Sequence, residues 1–443
     1  MIELARQHRQ RLFEAMPENG MVVVTSGAEV IRNRDVEYHF RPQSDFFYLT
    51  GFEEPEACLV MTKRCDEAGQ TKTMTGLFLR SKDPEKETWE GKRLGVDMAP
   101  NRLKIDQAWS NDQFESVMPT HMAGMETLWF SFDQLGHWLP RLQPMIESLK
   151  AQGRKGVTAP SRLEDLDHLL HEHRLIKSEA ELAKLRKAAQ VSVQGHLAAM
   201  QSVVAQRFEY QLQADLEATF KRHGAKREAF ATIVAAGENA CVLHYTENRA
   251  PIGANDLVLV DAGAEFEGYA GDITTTFPAS GRFNQAQAQL YNWVLKAQRA
   301  AVDVIAPGVS YFQVHETARR VLVEGLVDCG ILHGEVDALI EAEAYKPYFM
   351  HGTGHWLGMD VHDVGAYKQD GQWRLLEPGM VMTVEPGLYI SSEDEKAPSD
   401  FRGLGIRIED DVAVTDTGHE VLTLGLPRTV AEIEQWMQAH GEN

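Results

Sequence analysis

The chain has 443 residues, 43% of them apolar and 25% charged, which is enough for a sizeable core and too much for one ordinary domain. Its 44 Lys+Arg against 65 Asp+Glu give a formal net charge of −21, which argues against nucleic acid and anionic membranes as partners because both call for a basic surface. There is no apolar leader, no run of membrane-spanning length and no CxxC spacing among the four cysteines, so a cytoplasmic protein with reduced thiols is expected.

To about residue 175, strand and helix signals alternate. Met21–Val24, Leu59–Met61 and Gly76–Leu79 are short apolar runs followed by polar or turn residues, the pattern of buried strands. Leu142, Met145, Ile146 and Leu149 fall at helical spacing, with Pro144 tolerable only in a first turn. His168, His171 and His173 lie in helical, polar surroundings and read as surface or interdomain residues. Ser178-Glu179-Ala180-Glu181 fits a capping box, and Leu182, Leu185, Ala189 and Val193 continue it as a helix. The segment Arg174–Lys177 before it, read as extended, is the expected boundary between domains 1–175 and 176–443.

Beyond the boundary, strands come in pairs. Leu257–Val260 runs into Asp261, glycines follow at 263, 268 and 271, and Asp272–Phe277 reads as the returning strand, rich in β-branched residues. Helices are expected over 285–305 and 314–326. Met380–Val384 ends at Glu385, and Gly405–Ile408 ends at Glu409, so both halves present carboxylates on strand pairs and hint at an internal duplication.

Those carboxylates carry the chemistry. Asp261 closes an apolar strand, where a lone charge is expensive unless paired or coordinated; the alternative is a turn cap before Gly263. A second acid nearby, Asp272, would repel it unless a cation intervenes. Glu385 follows an apolar strand and should face inward, whereas Glu377 reads as a solvated turn residue. Alternation puts Arg407 and Glu409 on one face and Ile406 and Ile408 on the other, leaving Arg407 able to orient a neighbouring acid. Asp410 and Asp411 read as solvated. His355 sits in a glycine-rich stretch with His351, and His362 follows shortly after. Asp261, Asp272, His355, Glu385 and Glu409 together form about the inventory that two divalent ions need to activate one water. No Walker lysine, HExxH or GxSxG occurs.

At these residues the chain resembles the pita-bread metallopeptidase family of creatinase, prolidase and methionine aminopeptidase, and within it the bacterial Xaa-Pro aminopeptidase (aminopeptidase P) branch. The segments carrying the resemblance are Gln43–Phe52 with Glu54–Ala57, Glu87–Gly95, Gly237–Asn239 with Leu243–Thr246, Asp261–Gly263 with Gly268–Asp272, His351–Gly358, Val384–Tyr389 and Gly405–Asp410. The resemblance implies an α/β creatinase-like N-terminal domain. It implies an α+β pita-bread C-terminal domain with a curved antiparallel sheet backed by helices. It implies two Mn²⁺ ions, with Co²⁺ or Zn²⁺ as substitutes, bridged by Asp272 and Glu409, with Asp261 on one and His355 and Glu385 on the other. The implied reaction is release of the N-terminal residue from peptides with proline second, with Glu385 as proton shuttle and His362 on the oxyanion. His244, His351, Tyr389 and Trp89 would bind substrate, Arg407 would support a ligand acid, and Trp89 would reach a neighbouring subunit in a homo-oligomer, a dimer or tetramer. Phe230 stands where close relatives carry Tyr. The alternatives are a prolidase acting only on Xaa-Pro dipeptides and a non-catalytic pita-bread binding protein.

Overall fold

A computed structural model describes residues 1–66, 68–203 and 206–440. Its internal contacts divide the chain into two units, Met1–His173 and Arg174–Asn443. The break falls inside the helix Asp167–Leu175, so the segment expected to be extended is helical through Leu175. Leu170 and Leu175 are both fully buried.

The N-terminal unit is a six-stranded mixed sheet in the order β4-β3-β2-β1-β5-β6, with β1 Gly20–Thr25, β2 Cys58–Cys65, β3 Thr71–Leu79, β4 Gln107–Ser110, β5 Thr127–Phe130 and β6 Arg162–Asp165. The three apolar runs read as strands lie in β1, β2 and β3. The helix expected around 142–149 begins earlier and spans Leu135–Ala151, with Pro140 and Pro144 inside it. Both prolines lie on the exposed face, where water can satisfy the carbonyls they leave unbonded. Buried Trp138, Leu142, Met145 and Leu149 hold the opposite face to the sheet.

The C-terminal unit opens on the helix Glu179–Ser202. Its capping box forms with Glu181 accepting both the Ser178 N–H (2.8 Å) and the Ser178 hydroxyl (2.7 Å). Three three-stranded antiparallel sheets follow among the described residues, and two of them frame the acids. The first is β7-β8-β9, made of β7 Ile233–Ala236, β8 Leu257–Ala262 and β9 Ile273–Pro278. Between them come the helices Gln285–Asp303 and Tyr311–Asp328, close to the expected spans. After the helices come β10 Val381–Val384, β11 Gly387–Ile390, β12 Leu404–Arg407, β13 Asp410–Val414 and β14 His419–Val421. β10-β13-β14 form the second sheet and β11-β12 a ribbon. Leu257, Val258, Leu259 and Val260 are all buried, and each contributes about 1.5–3 kcal/mol, enough to carry Asp261 inside behind them.

Two glycines make the packing around these strands feasible. A Cβ on Gly263 would lie 1.6 Å from the Gly271 carbonyl oxygen, and one on Gly354 would lie 1.9 Å from that of Thr383. Only a hydrogen fits at either place.

Candidate metal centre

Asp261 sits near the end of β8, opposite Ile233 on one side and Thr274 on the other. Asp272 immediately precedes β9. Glu385 follows β10, its N–H held by the Thr353 carbonyl at 2.8 Å. Glu409 lies between β12 and β13, its N–H on the Thr274 carbonyl at 3.1 Å. Ile406 and Ile408 turn into the core and Arg407 and Glu409 turn away from it, the alternation expected from the sequence. His355 is fixed at three points. Its N–H goes to Thr383 Oγ1 (3.1 Å), its carbonyl accepts the Thr383 N–H (2.9 Å), and its Nδ1–H goes to the Trp356 carbonyl (3.0 Å). With Nδ1 committed to that carbonyl, Nε2 is the ring nitrogen that faces the acids.

All five residues line one cavity of about 430 Å³, together with Phe230, His244, His351, His362 and Arg407. His355 Nε2 is 3.4 Å from Asp272 Oδ2 and 3.6 Å from Glu385 Oε1. Donor atoms of Asp272, His355 and Glu409 all lie within 4.8 Å of one another. Arg407 pairs with Asp261 Oδ2 at 2.6 Å and donates to Thr274 Oγ1 (3.1 Å) and to the Tyr389 hydroxyl (3.0 Å).

The electrostatics of this cavity suit a cation. Burial pushes the Asp272 carboxyl up to about 6 and Glu385 up to about 7, and drives Glu409 well above the usual range, with the neighbouring acids adding to each. Burial by itself would lower His355, but Asp272 and Glu385 outweigh it and raise the imidazole to about 9. Burial and Arg407 push His351 down to about 3, which leaves it neutral. Asp261 Oδ1 is buried and has no hydrogen-bond partner. Four acids face two cationic groups, Arg407 and the protonated His355, and relieve the imbalance by holding protons that a cation could displace; oxygen-rich donors with one imidazole fit hard divalent ions.

Several residues sit differently from expectation. Asp410 and Asp411 are buried, because β13 runs through the sheet interior; Asp410 pairs with Arg428 and accepts from Gln298 and Thr423, while Asp411 accepts the Asp272 N–H at 3.1 Å. Tyr389 is not among the residues facing the cavity. It is buried on β11 with its hydroxyl between His351 Nε2 (2.9 Å) and Arg407, so it supports the wall rather than forming it. Trp89 projects from the helix Pro84–Glu90 of the N-terminal unit and is 86% exposed. His171 lies 3.4 Å from Asp167, one helical turn before it, and 3.6 Å from Asp45, which is distant in the sequence. The contacts of Thr274, Thr383 and Asp411 went unread because they depend on cross-strand register. Asp363, buried against Arg174 (2.6 Å) and Lys177 (2.9 Å), was signalled only by its place beside His362.

Residues 183–416 match the model of metallopeptidase family M24, and residues 5–129 match that of the aminopeptidase P N-terminal domain. The chain belongs to metallopeptidase family M24. Among its M24 relatives, the Xaa-Pro aminopeptidase of Haemophilus influenzae is 44% identical, with 97% of this chain and 96% of the relative covered. The Xaa-Pro aminopeptidase of Escherichia coli is 43% identical with 99% of each covered. The solved Pseudomonas aeruginosa aminopeptidase PepP matches at a TM-score of 0.96 and 45% identity, covering 99% of this chain and 98% of that one. Zn-substituted E. coli aminopeptidase P in complex with product matches at 0.96 and 42%, covering 100% and 99%. The M24 pita-bread architecture with its N-terminal aminopeptidase P domain is therefore the fold of this chain, as the motifs implied. No helix among the described residues is long and apolar enough to cross a membrane.

Proposed function

We propose that this M24 member is a dinuclear-metal aminopeptidase that releases the N-terminal residue from peptides with proline in second place. The observation that carries this reading is the convergence of Asp261, Asp272, His355, Glu385 and Glu409 on one cavity, four carboxyl groups and one imidazole. These five would hold two Mn²⁺ ions, which would supply Lewis-acid polarisation of the substrate carbonyl and a more acidic water. Full-length similarity to Xaa-Pro aminopeptidases supports the substrate class. In this reading residues 1–175 are the creatinase-like domain and 176–443 the catalytic one, and the enzyme is a cytoplasmic homo-oligomer in which Trp89 serves a neighbouring subunit's site.

The chain's own groups divide the work. Water attacks the carbonyl carbon of the residue before proline. Glu385 takes a proton from that water and delivers it to the proline nitrogen as the C–N bond breaks. His362 and His244, both exposed on the cavity lining, are placed to hydrogen-bond the carbonyl oxygen and the substrate backbone. Arg407 orients Asp261, and the Tyr389 hydroxyl ties Arg407 to His351. An Xaa-Pro bond has no N–H and carries a rigid ring, so clefts that bind an extended strand by backbone pairing reject it. A cavity lined by side chains avoids that demand. Phe230 lines it without the hydroxyl a Tyr would add.

Mn²⁺-reconstituted protein should cut an Arg-Pro-Pro-type peptide after its first residue faster than it cuts an Xaa-Pro dipeptide. Activity confined to the dipeptide would make it a prolidase, and no metal-restored hydrolysis of either would make it a binding protein.

Removal of metal should leave a protein that loses stability as pH rises. Asp272 and Glu385 keep protons in the fold up to about 6 and 7, whereas the unfolded chain releases them near 3.8 and 4.5. His355 has the same sign, protonated up to about 9 in the fold and 6.5 outside it. These contributions are complete at low pH and are lost as pH climbs through the folded values. Bound cations reverse the trend because they compete with those protons. The gap in Tm between Mn²⁺-loaded and chelator-stripped protein should therefore widen from pH 5 to 9. A constant gap would show that these groups do not hold the metal.

A further inference from the structure

The two halves of the C-terminal unit contribute one central acid each, and the backbone treats them alike. Asp272 directly precedes β9, and Glu409 directly precedes β13. Two positions past Asp272, Thr274 donates its hydroxyl to Glu409 Oε2 at 2.6 Å. Two positions past Glu409, Asp411 accepts the Asp272 N–H on Oδ2 at 3.1 Å. The Glu409 N–H completes the set on the Thr274 carbonyl at 3.1 Å. Each half thus holds the other's acid through the residue at the same offset.

The surroundings make both contacts directional. Thr274 Oγ1 also accepts Arg407 Nε–H at 3.1 Å, so its single proton is committed to Glu409. Thr274 and Asp411 are both 0% exposed. In the ladders Thr274 stands opposite Asp261 and Asp411 opposite Thr383, the residue whose Oγ1 holds the His355 N–H and lies 3.4 Å from Glu385 Oε1. Asp411 Oδ1 is buried without a hydrogen-bond partner. An interior carboxyl kept in that condition costs stability, and the proposed hydrolysis assigns it no task.

We infer that Thr274 and Asp411 are reciprocal positioning residues, each fixing the central acid supplied by the opposite half, so that neither half sets the donor positions alone. The inference rests on the metal reading above and adds two residues to it.

The test is metal affinity, measured by chelator competition on purified full-length protein, together with the EPR spectrum of the Mn²⁺-loaded form. Thr274→Val and Asp411→Val should each weaken metal retention by about 10–100-fold and alter the EPR signal. Thr274→Ser and Asp411→Asn keep the hydroxyl and the acceptor oxygen and should stay within about threefold of wild type. If both valine variants fold and bind like wild type, the inference is wrong. Should Asp411→Val fail to fold, the Thr274 pair and Asp411→Asn decide: an unaffected Thr274→Val, or an Asp411→Asn that loses metal despite its retained acceptor, overturns it. If wild type itself holds no transition metal, the metal reading falls and this inference falls with it; tight wild-type binding with indifferent variants sinks only the inference.

Discussion

Glu385→Gln should lower turnover of an Xaa-Pro peptide by about 10³-fold while leaving the fold intact. The substitution keeps the volume and one carbonyl oxygen but removes the group able to take up a proton. Two neighbours of the Glu385 carboxyl cannot take its place. His351 Nδ1 is 3.9 Å from Glu385 Oε2, but that imidazole is held neutral, pushed down to about 3, and its Nδ1 faces the Gly352 carbonyl at 2.7 Å. Thr383 Oγ1, 3.4 Å from Oε1, is a hydroxyl with no basic capacity at neutral pH. Stability should hold or rise, because the change removes one of several acids crowded into a desolvated space. Circular dichroism and denaturant titration check the fold, and steady-state kinetics check kcat. A variant with wild-type kcat would remove Glu385 from the proton path.

Asp363→Ala should cost about 3–5 kcal/mol of stability, the largest effect expected outside the cavity. The Asp363 side chain is 1% exposed, and so is that of Lys177; Arg174 is 2% exposed. Burial would raise the Asp363 carboxyl, but Lys177 and Arg174 outweigh it and hold it below the ordinary range. Alanine takes away the carboxylate that both buried cations share, although Arg174 keeps Asp360 at 2.8 Å. The damage should reach function, because Asp363 follows His362 directly and its N–H is pinned to the Trp356 carbonyl at 2.9 Å, one residue from His355. Guanidinium unfolding should show the lowered midpoint, and an unchanged midpoint would mean the cations find other partners. Acid should mimic the substitution: this pair's contribution is present above about pH 4 and fades as pH falls through the depressed value.

The acids and the histidine that line the cavity were legible because each breaks a local pattern. Asp261 and Glu385 end apolar strands, Asp272 sits between Gly271 and a β-branched run, and His355 lies among glycines. Periodicity of two also placed Arg407 and Glu409 correctly, since alternation is a property of a single strand. What lay beyond reach was everything set by pairing between strands. Asp410 and Asp411 look like a solvated acidic pair until β13 is placed inside its sheet. Thr274 and Thr383 look like ordinary β-branched residues until their hydroxyls meet Glu409 and His355. Tyr389 was expected to face the substrate, but the ribbon β11-β12 directs its hydroxyl to Arg407. The helix Leu135–Ala151 shows a different gap: proline at an exposed helical position ends a helix less firmly than a local rule implies.

The ion pair between Asp261 and Arg407 spans 146 residues of chain, and Glu409 comes later still. An emerging polypeptide therefore lacks the last of the five cavity side chains until Glu409 has left the ribosome. In the metal reading proposed above, the cavity would take its ions only once folded, from the free-ion pool around it, and not in the order in which its side chains were made.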